Sequence, residues 1–364
     1  MIGGSLRRQR GVVLVAILVL FALAAVIAIE VTHRQDHFRA RTENLIGWDK
    51  RYRYAVAAET VAIQGLIDDL ESDSDGGEMV DDCKNEQWAV SLPPTPYADA
   101  ILTASVQDLQ ARFNLNWLVQ FDTEGNAYSR NDDRRDQLER LLQSMLDGQG
   151  VAPALADEMA DWLDSDNLVN GVQGAEDPDY RLRRTPNMPI LHESEMRALK
   201  SFRRDAIAEE RFWQYLTALP LDARLNVNTA PEPVMDAVFG QLGVTGLAAA
   251  IASRRDSDPF KTVQDVVSLP EVASLPADKR QVLEDSIDVR SEYFQVMVDI
   301  RDDTGTTRLV SRIIRRAQGE TAVYSRAVLP IIAALEPACH PDYNANNDNS
   351  RETGAAGLSP GTPN

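Results

Sequence analysis

The sequence predicts an α+β fold: one long amino-terminal helix, an antiparallel sheet, and a large, mostly helical block inserted between strands of that sheet. Three observations predict it. No proline occurs from Met1 to Leu92, and there Leu45, Trp48, Tyr52, Val56, Ile63, Leu66, Ile67 and Leu70 recur near the helical period. From Asp122 to Val289 apolar residues fall at three- and four-residue spacing, as in Leu138-Leu141-Leu142-Met145, Met196-Leu199-Phe202 and Phe212-Tyr215-Leu216. Phe294-Val296-Val298-Ile300 then alternates up to a turn at Asp302-Asp303-Thr304-Gly305, and Thr307 to Ile314 runs back as the second arm of a hairpin.

The helix opens as an anchor. Val12 to Ile29 carries no charge, which is enough apolar chain to span or nearly span a bilayer. Arg7, Arg8 and Arg10 precede it, so the leader stays cytoplasmic and everything beyond Glu30 lies outside the cytoplasm in a single pass. A secretory signal cut near Ala22-Leu23-Ala24-Ala25 is the competing reading. A helix from Val12 to Leu70 would be about 88 Å long, too long to bury in one small domain. A break near Arg34 to Arg41 would split it into an anchor and a separate helix.

The expected segments are 1–11 as leader, 12–30 as membrane span and 31–70 as the external part of the helix. They continue with 71–121 as the first part of the sheet domain, 122–289 as the inserted block and 290–340 as the final strands. Glu71 to Asp82, with six acids and no base, ends the helix in a solvated acidic loop that only partly mimics a calcium loop. Gln87 to Leu92 and Phe113 to Phe121 have strand character, and Thr321 to Leu329 supplies a third late strand. The tail 341–364 is rich in Asn, Asp, Gly and Pro and reads as disordered.

Composition excludes several functions. Thirty-seven Lys and Arg face 56 Asp and Glu, a net charge of −19, which repels nucleic acid and favours cations. Four histidines and two distant cysteines offer no zinc spacing, and no phosphate-loop, nucleophile-elbow or dinucleotide signature occurs. Paired carboxylates alone do not make a glycosidase, so catalysis is not expected and a membrane-anchored hydrolase is the weakest alternative.

Two constellations stand out. Between Val151 and Tyr180 lie eight acids and no Lys or Arg, in two runs separated by a loop holding Gly171 and Gly174. Such runs can curl oxygens around Ca²⁺, although the spacing is not that of an EF-hand and an unliganded acidic loop is the plain alternative. The expected ligands are Asp164, Asp166, Glu176 and Asp179, with Asp161 or Asp177 able to replace one of them. The second is Leu225-Asn226-Val227-Asn228-Thr229-Ala230 followed by Gly240-x-x-Gly243-x-x-Gly246, which resembles a helix-hairpin-helix. In an acidic chain this suits protein packing better than DNA, with Asn226 and Asn228 fastening the turn at Thr229; a DNA-uptake protein is the alternative.

A basic leader ending in Gly11, with the apolar helix starting at once in Val12-Val13-Leu14, resembles type IV pilins and pseudopilins. That resemblance implies cleavage after Gly11 by prepilin peptidase, retention of the apolar helix and N-methylation of Val12. Pseudopilins usually carry Glu at the fifth mature position, where this chain has Ala16. That departure, the inserted helical block, Asn114-Leu115-Asn116, the Asp161 to Tyr180 region and Asn226 to Ala230 together resemble the K-type minor pseudopilin of type II secretion. The resemblance implies a non-enzymatic subunit at the tip of a pseudopilus, anchored in the inner membrane with its large domain in the periplasm. Its partners would be I- and J-type minor pseudopilins and the inner-membrane platform, its cofactor Ca²⁺, and it would promote assembly and protein export. In an oxidising periplasm Cys83 and Cys339 are expected to pair, two free thiols being the alternative.

Overall fold

A computed structural model describes residues 10–76, 79–146, 151–171, 173–202, 210–316, 319–331 and 339. Helix α1, Arg10–Gly76, runs for 67 residues, about 100 Å at the α-helical rise. No break occurs at Arg34 to Arg41, where Arg34 instead pairs with Glu30 at 2.9 Å and Thr42 donates to the Phe38 carbonyl. The helix also continues past Leu70, so Glu71, Asp73 and Asp75 occupy its last turns rather than a loop. Its apolar end packs against nothing among the described residues: Val13, Phe21 and Ile29 are all more than half exposed, as a segment surrounded by lipid would be. Residues 1–9 and the tail 341–364 lie outside the described residues.

The sheet has five antiparallel strands in the spatial order Leu92–Tyr97, Ala100–Asp108, Tyr293–Asp302, Gly305–Arg315 and Thr321–Leu329. The expected late hairpin is present, turning at Asp302, whose Oδ1 accepts from the Thr304 and Gly305 amides at 2.9 and 3.0 Å. Phe294, Val296, Val298 and Ile300 alternate onto one face, where Ala55 and Leu66 of α1 cover them. Glu59 of α1, buried, accepts from Ser311 and pairs with Arg326 at 2.6 Å.

The early strands differ from expectation in part: Phe113 to Phe121 holds two short strands, Phe113–Asn114 and Val119–Asp122, joined by a tight turn at Leu115–Leu118. Gln87 to Val90 is irregular, and the sheet's first two strands lie instead at Leu92–Tyr97 and Ala100–Asp108. Pro93, Pro94 and Pro96 hide the first of these, and it is tolerated because it is the exposed edge, where a missing N–H costs no ladder bond.

Between Asp108 and Tyr293 the chain leaves the sheet and returns to it, with Asp108 paired opposite Phe294. The helical block therefore begins near Leu109 rather than at 122, because Phe113, Leu115, Trp117 and Leu118 pack into its core. In that core, helix α2 (Asp132–Met145) and helix α3 (Val151–Leu163) bury Leu138, Leu141, Leu142, Leu155 and Met159 together. Asn131 caps α2 by accepting from the Arg134 amide.

The block stands at the sheet end farthest from the apolar end of α1. Near the apolar end of α1, Arg51 pairs with Asp302 at 2.9 Å in the hairpin turn. At the other end Arg315 reaches the Leu66 carbonyl and Asp69 near the end of α1, and there the block departs. Asn226 ties it down by donating to Asp108 Oδ2 (3.2 Å), Ser291 Oγ (2.9 Å) and the Asp81 carbonyl (3.0 Å). A disulfide joins Cys83, beyond α1, to Cys339.

Candidate functional site

Helix α3 carries its acids down one side and ends in them. Trp162 and Leu163 are buried, with the Trp162 ring edge-on to Tyr180 at 5.4 Å, so the chain leaving the helix is fixed. Asp157 and Asp161, one turn apart, are neutralised by bases from outside the acidic stretch. Arg130 reaches Asp157 at 2.9 Å and Asp161 at 3.1 Å, and Arg135 reaches Asp157 at 2.7 Å. Counting charges within 151–180 missed these partners, because the block folds an earlier hairpin and helix against α3.

The loop after α3 folds back closely enough to require glycine. A Cβ on Gly174 would stand 2.1 Å from Asp161 Oδ2 and 2.4 Å from the Asn170 carbonyl. Gly171 adopts φ +76°, and a Cβ there would meet Asp157 at 2.7 Å. This return brings Asp164, Asp166 and Glu176 together, each offering an oxygen within 4.8 Å of the others.

Asp179, expected beside them, is turned away. Its Oδ1 meets Lys200 Nζ at 3.2 Å and its Oδ2 accepts from the Glu176 amide at 3.2 Å. Of the alternates, Asp161 is held by Arg130 and the Asn170 amide, and Asp177 accepts from Thr185. Thr185, not singled out from the sequence, also donates to Glu176 Oε2 at 3.2 Å. No local sequence signal marks it, since the contact depends on how a later irregular segment returns.

Asp164 and Glu176 are buried, yet Asp164 Oδ1 and Glu176 Oε1 accept no hydrogen bond from the described residues. Burial pushes Asp164 up to about 7, with Asp166, Asp161 and Glu176 adding their repulsion. Burial likewise carries Glu176 up to about 7 against the hydrogen bond from Thr185. Two orphaned buried oxygens beside an exposed third carboxylate form an all-oxygen donor set of the kind a hard divalent cation takes.

A second group, Asp69, Asp73 and Glu86, also brings three carboxylates within 4.8 Å of one another, beside the last turns of α1. Burial and a hydrogen bond to Asp69 push the Glu86 carboxyl up to about 10.

The helix-hairpin-helix expectation maps onto Glu232–Phe239 and Leu247–Ser257, joined through Gly243 and Gly246 in the left-handed region. Val234, Leu242, Leu247, Ala248 and Ile251 all face the block's core. Asn226 Oδ1 accepts from the Asn228 amide at 2.9 Å, and Asn228 brackets Phe260 through both its N–H and its carbonyl. Arg255, fully buried, donates to the carbonyls of Val227 and Ala230. The module's inward face is thus spent on packing.

Comparison with known proteins points to one family over most of the chain. Two models described as type II secretion system protein K match residues 111–221 and 225–290. The type II secretion system protein K of Pseudomonas aeruginosa is 30% identical over 325 residues, covering 88% of this chain and 93% of that protein. The protein K of Aeromonas hydrophila is 27% identical over 333 residues, covering 88% and 98%. Among solved structures, the crystal structure of the GspK-GspI-GspJ complex from the enterotoxigenic Escherichia coli type 2 secretion system contains a chain of similar fold. It has a TM-score of 0.66 and 21% identity, covering 80% of this chain and 99% of that one.

Proposed function

The chain belongs to the type II secretion system protein K family, and from that premise we propose that it caps the periplasmic pseudopilus as a non-enzymatic minor pseudopilin. Its partners there are I- and J-type minor pseudopilins and the inner-membrane platform. The observation that carries this reading is the position of the inserted block. It stands at the end of α1 opposite the apolar segment, where another subunit stacked above would have to fit, and it is larger than the sheet domain it crowns. Ala16 agrees, since a subunit with no upper neighbour has no incoming amine to neutralise, and a lone carboxylate in lipid is costly.

The apolar helix anchors the chain in the inner membrane, with the sheet and inserted block in the periplasm. Prepilin peptidase removes the leader after Gly11, and Val12 becomes the methylated first residue. Asp164, Asp166 and Glu176 hold Ca²⁺, which fits the two buried oxygens left without donors and the gathering of three carboxylates. The cation there would tie the end of α3 to the loop that follows it. It supplies structure and no chemistry.

The test is to co-express the full chain with I- and J-type partners and to label it in assembled filaments. A stoichiometric complex and label confined to filament ends is the expected result. Label spaced regularly along the shaft would overturn the tip role. Mass spectrometry of the native amino terminus should find methylated Val12, and a chain beginning near Ala25 would remove the anchor from the proposal.

A further inference from the structure

Two irregular segments of the inserted block, 164–171 and 181–191, present apolar side chains that the fold does not cover. Leu182 is 98% exposed and Leu191 87%, with Leu168 and Met188 also mostly outside. Isolated surface leucines need no explanation, but four large aliphatic side chains on two adjoining segments do. The segments adjoin because Asn187 Nδ2 donates to the Asp166 carbonyl at 2.6 Å.

These leucines are not the ends of a loose loop. Thr185 donates its amide to Asp177 at 2.8 Å, and Ile190, itself buried, donates its amide to Asn116 Oδ1 at 2.9 Å. Asn187 adopts φ +51°, an uncommon backbone conformation for a residue with a side chain. Anchors at Thr185, Asn187 and Ile190 therefore alternate with the projecting Leu182, Met188 and Leu191. The backbone is fixed and the apolar side chains are left in water.

Charge says what fits there. Arg181, Arg183 and Arg184 are exposed and flank Leu182, with Arg183 over the Tyr180 ring at 5.9 Å and Arg184 3.9 Å from Asp177, three guanidinium groups in four positions of a chain whose net charge is −19. We propose that this face docks an acidic protein segment carrying aliphatic side chains, its carboxylates on the arginines and its apolar groups on Leu182, Met188 and Leu191. Arginine's planar fork suits paired contact with carboxylates. An anionic bilayer fits less well, because a plane of negative charge would also face Asp166, Asp177 and Asp179 around the same surface. A second copy in symmetric contact would set arginine against arginine.

The test uses the full chain in detergent, immobilised and panned against phage-displayed random peptides, with counter-selection on the Arg181→Glu, Arg183→Glu, Arg184→Glu variant. Enriched peptides should combine Asp or Glu with Leu, Ile or Val. A synthetic copy of the most enriched peptide should bind at least about tenfold more weakly to that variant and to Leu182→Asp, Leu191→Asp. Both variants should melt near the wild-type temperature, since every altered side chain is exposed and the contacts removed, Arg183 over Tyr180 and Arg184 at 3.9 Å from Asp177, lie at the surface, where such pairs are worth little. No enrichment over the counter-selected variant, enrichment of neutral or basic peptides, or an affinity indifferent to both variants would overturn the proposal. So would binding to phosphatidylglycerol vesicles that depends on the three arginines when no acidic peptide binds.

Discussion

Arg312 Nη2 reaches both oxygens of Glu193, at 2.5 and 2.7 Å, across the boundary between the sheet and the inserted block. Both side chains are buried, so each is expensive to leave alone. Burial alone would raise the Glu193 carboxyl, but Arg312 outweighs it and holds the group below its ordinary value. Replacing Glu193 with Ala should destabilise the chain by about 3–5 kcal/mol, because Arg312 is stranded. The sign with pH follows from the lowered value. The pair's contribution is complete above the unfolded carboxyl value of 4.5 and is lost as pH falls through the folded one. Thermal melts of wild type and Glu193→Gln should therefore differ at neutral pH and converge in acid. A difference that persists or grows in acid would refute the pairing argument.

Such long-range pairs explain what the sequence could and could not disclose. The long helix was legible because proline is absent to Leu92 and its apolar residues keep one period, so only its continuity and its end were in question. The hairpin from Tyr293 to Arg315 was legible because Phe294, Val296, Val298 and Ile300 alternate along its first arm up to a glycine-bearing turn. The strand Leu92–Tyr97 was not, since three prolines contradict every strand rule except the one for an edge. The carboxylate cluster was legible as a region, and Asp164, Asp166 and Glu176 do come together. Asp179 did not join them because Lys200, outside the acidic stretch, draws it away. Asp157 and Asp161 looked equally available until the fold brought Arg130 and Arg135 against them.

If a cation sits among Asp164, Asp166 and Glu176, it binds the native state alone and must raise its stability. Saturation at about 100 times the dissociation constant is worth about 2.7 kcal/mol. Adding a chelator to the full chain in detergent should lower its melting temperature, and calcium should restore it. Asp166→Asn should weaken calcium binding, whereas Asp179→Asn should leave it nearly unchanged, given the latter's contact with Lys200. Equal losses in the two variants would mean general acidity rather than a site.

Proton linkage gives that site a direction. Without a cation, Asp164 and Glu176 both titrate near 7, above their ordinary 3.8 and 4.5. Raised carboxyls make the cation-free fold take up protons, so their contribution to stability grows as pH falls from about 7 towards 4. Calcium needs both groups ionised, so its affinity should drop below pH 7, by up to about tenfold per pH unit for each proton displaced. Calorimetric titration at pH 8 and pH 6 checks this. Equal affinities at the two values would place the cation elsewhere.

Glycine offers a test of the loop that does not touch a carboxylate. At Gly174 an added methyl would stand 2.1 Å from Asp161 Oδ2 and 2.4 Å from the Asn170 carbonyl, and the second of these is backbone that cannot swing aside. Gly174→Ala should therefore cost about 1–3 kcal/mol through overpacking. It should also weaken calcium binding, since Glu176 follows two residues later and would move with the displaced loop. Gly65, inside α1, meets nothing within 4 Å at its Cβ position, so Gly65→Ala should stabilise the helix by about 0.5–1 kcal/mol. The two substitutions add the same methyl and should shift the melting temperature in opposite directions. Only Gly174→Ala should change the calcium response. A Gly174→Ala chain that melts like wild type and binds calcium with undiminished affinity would show that the loop need not lie against α3 to gather its three carboxylates.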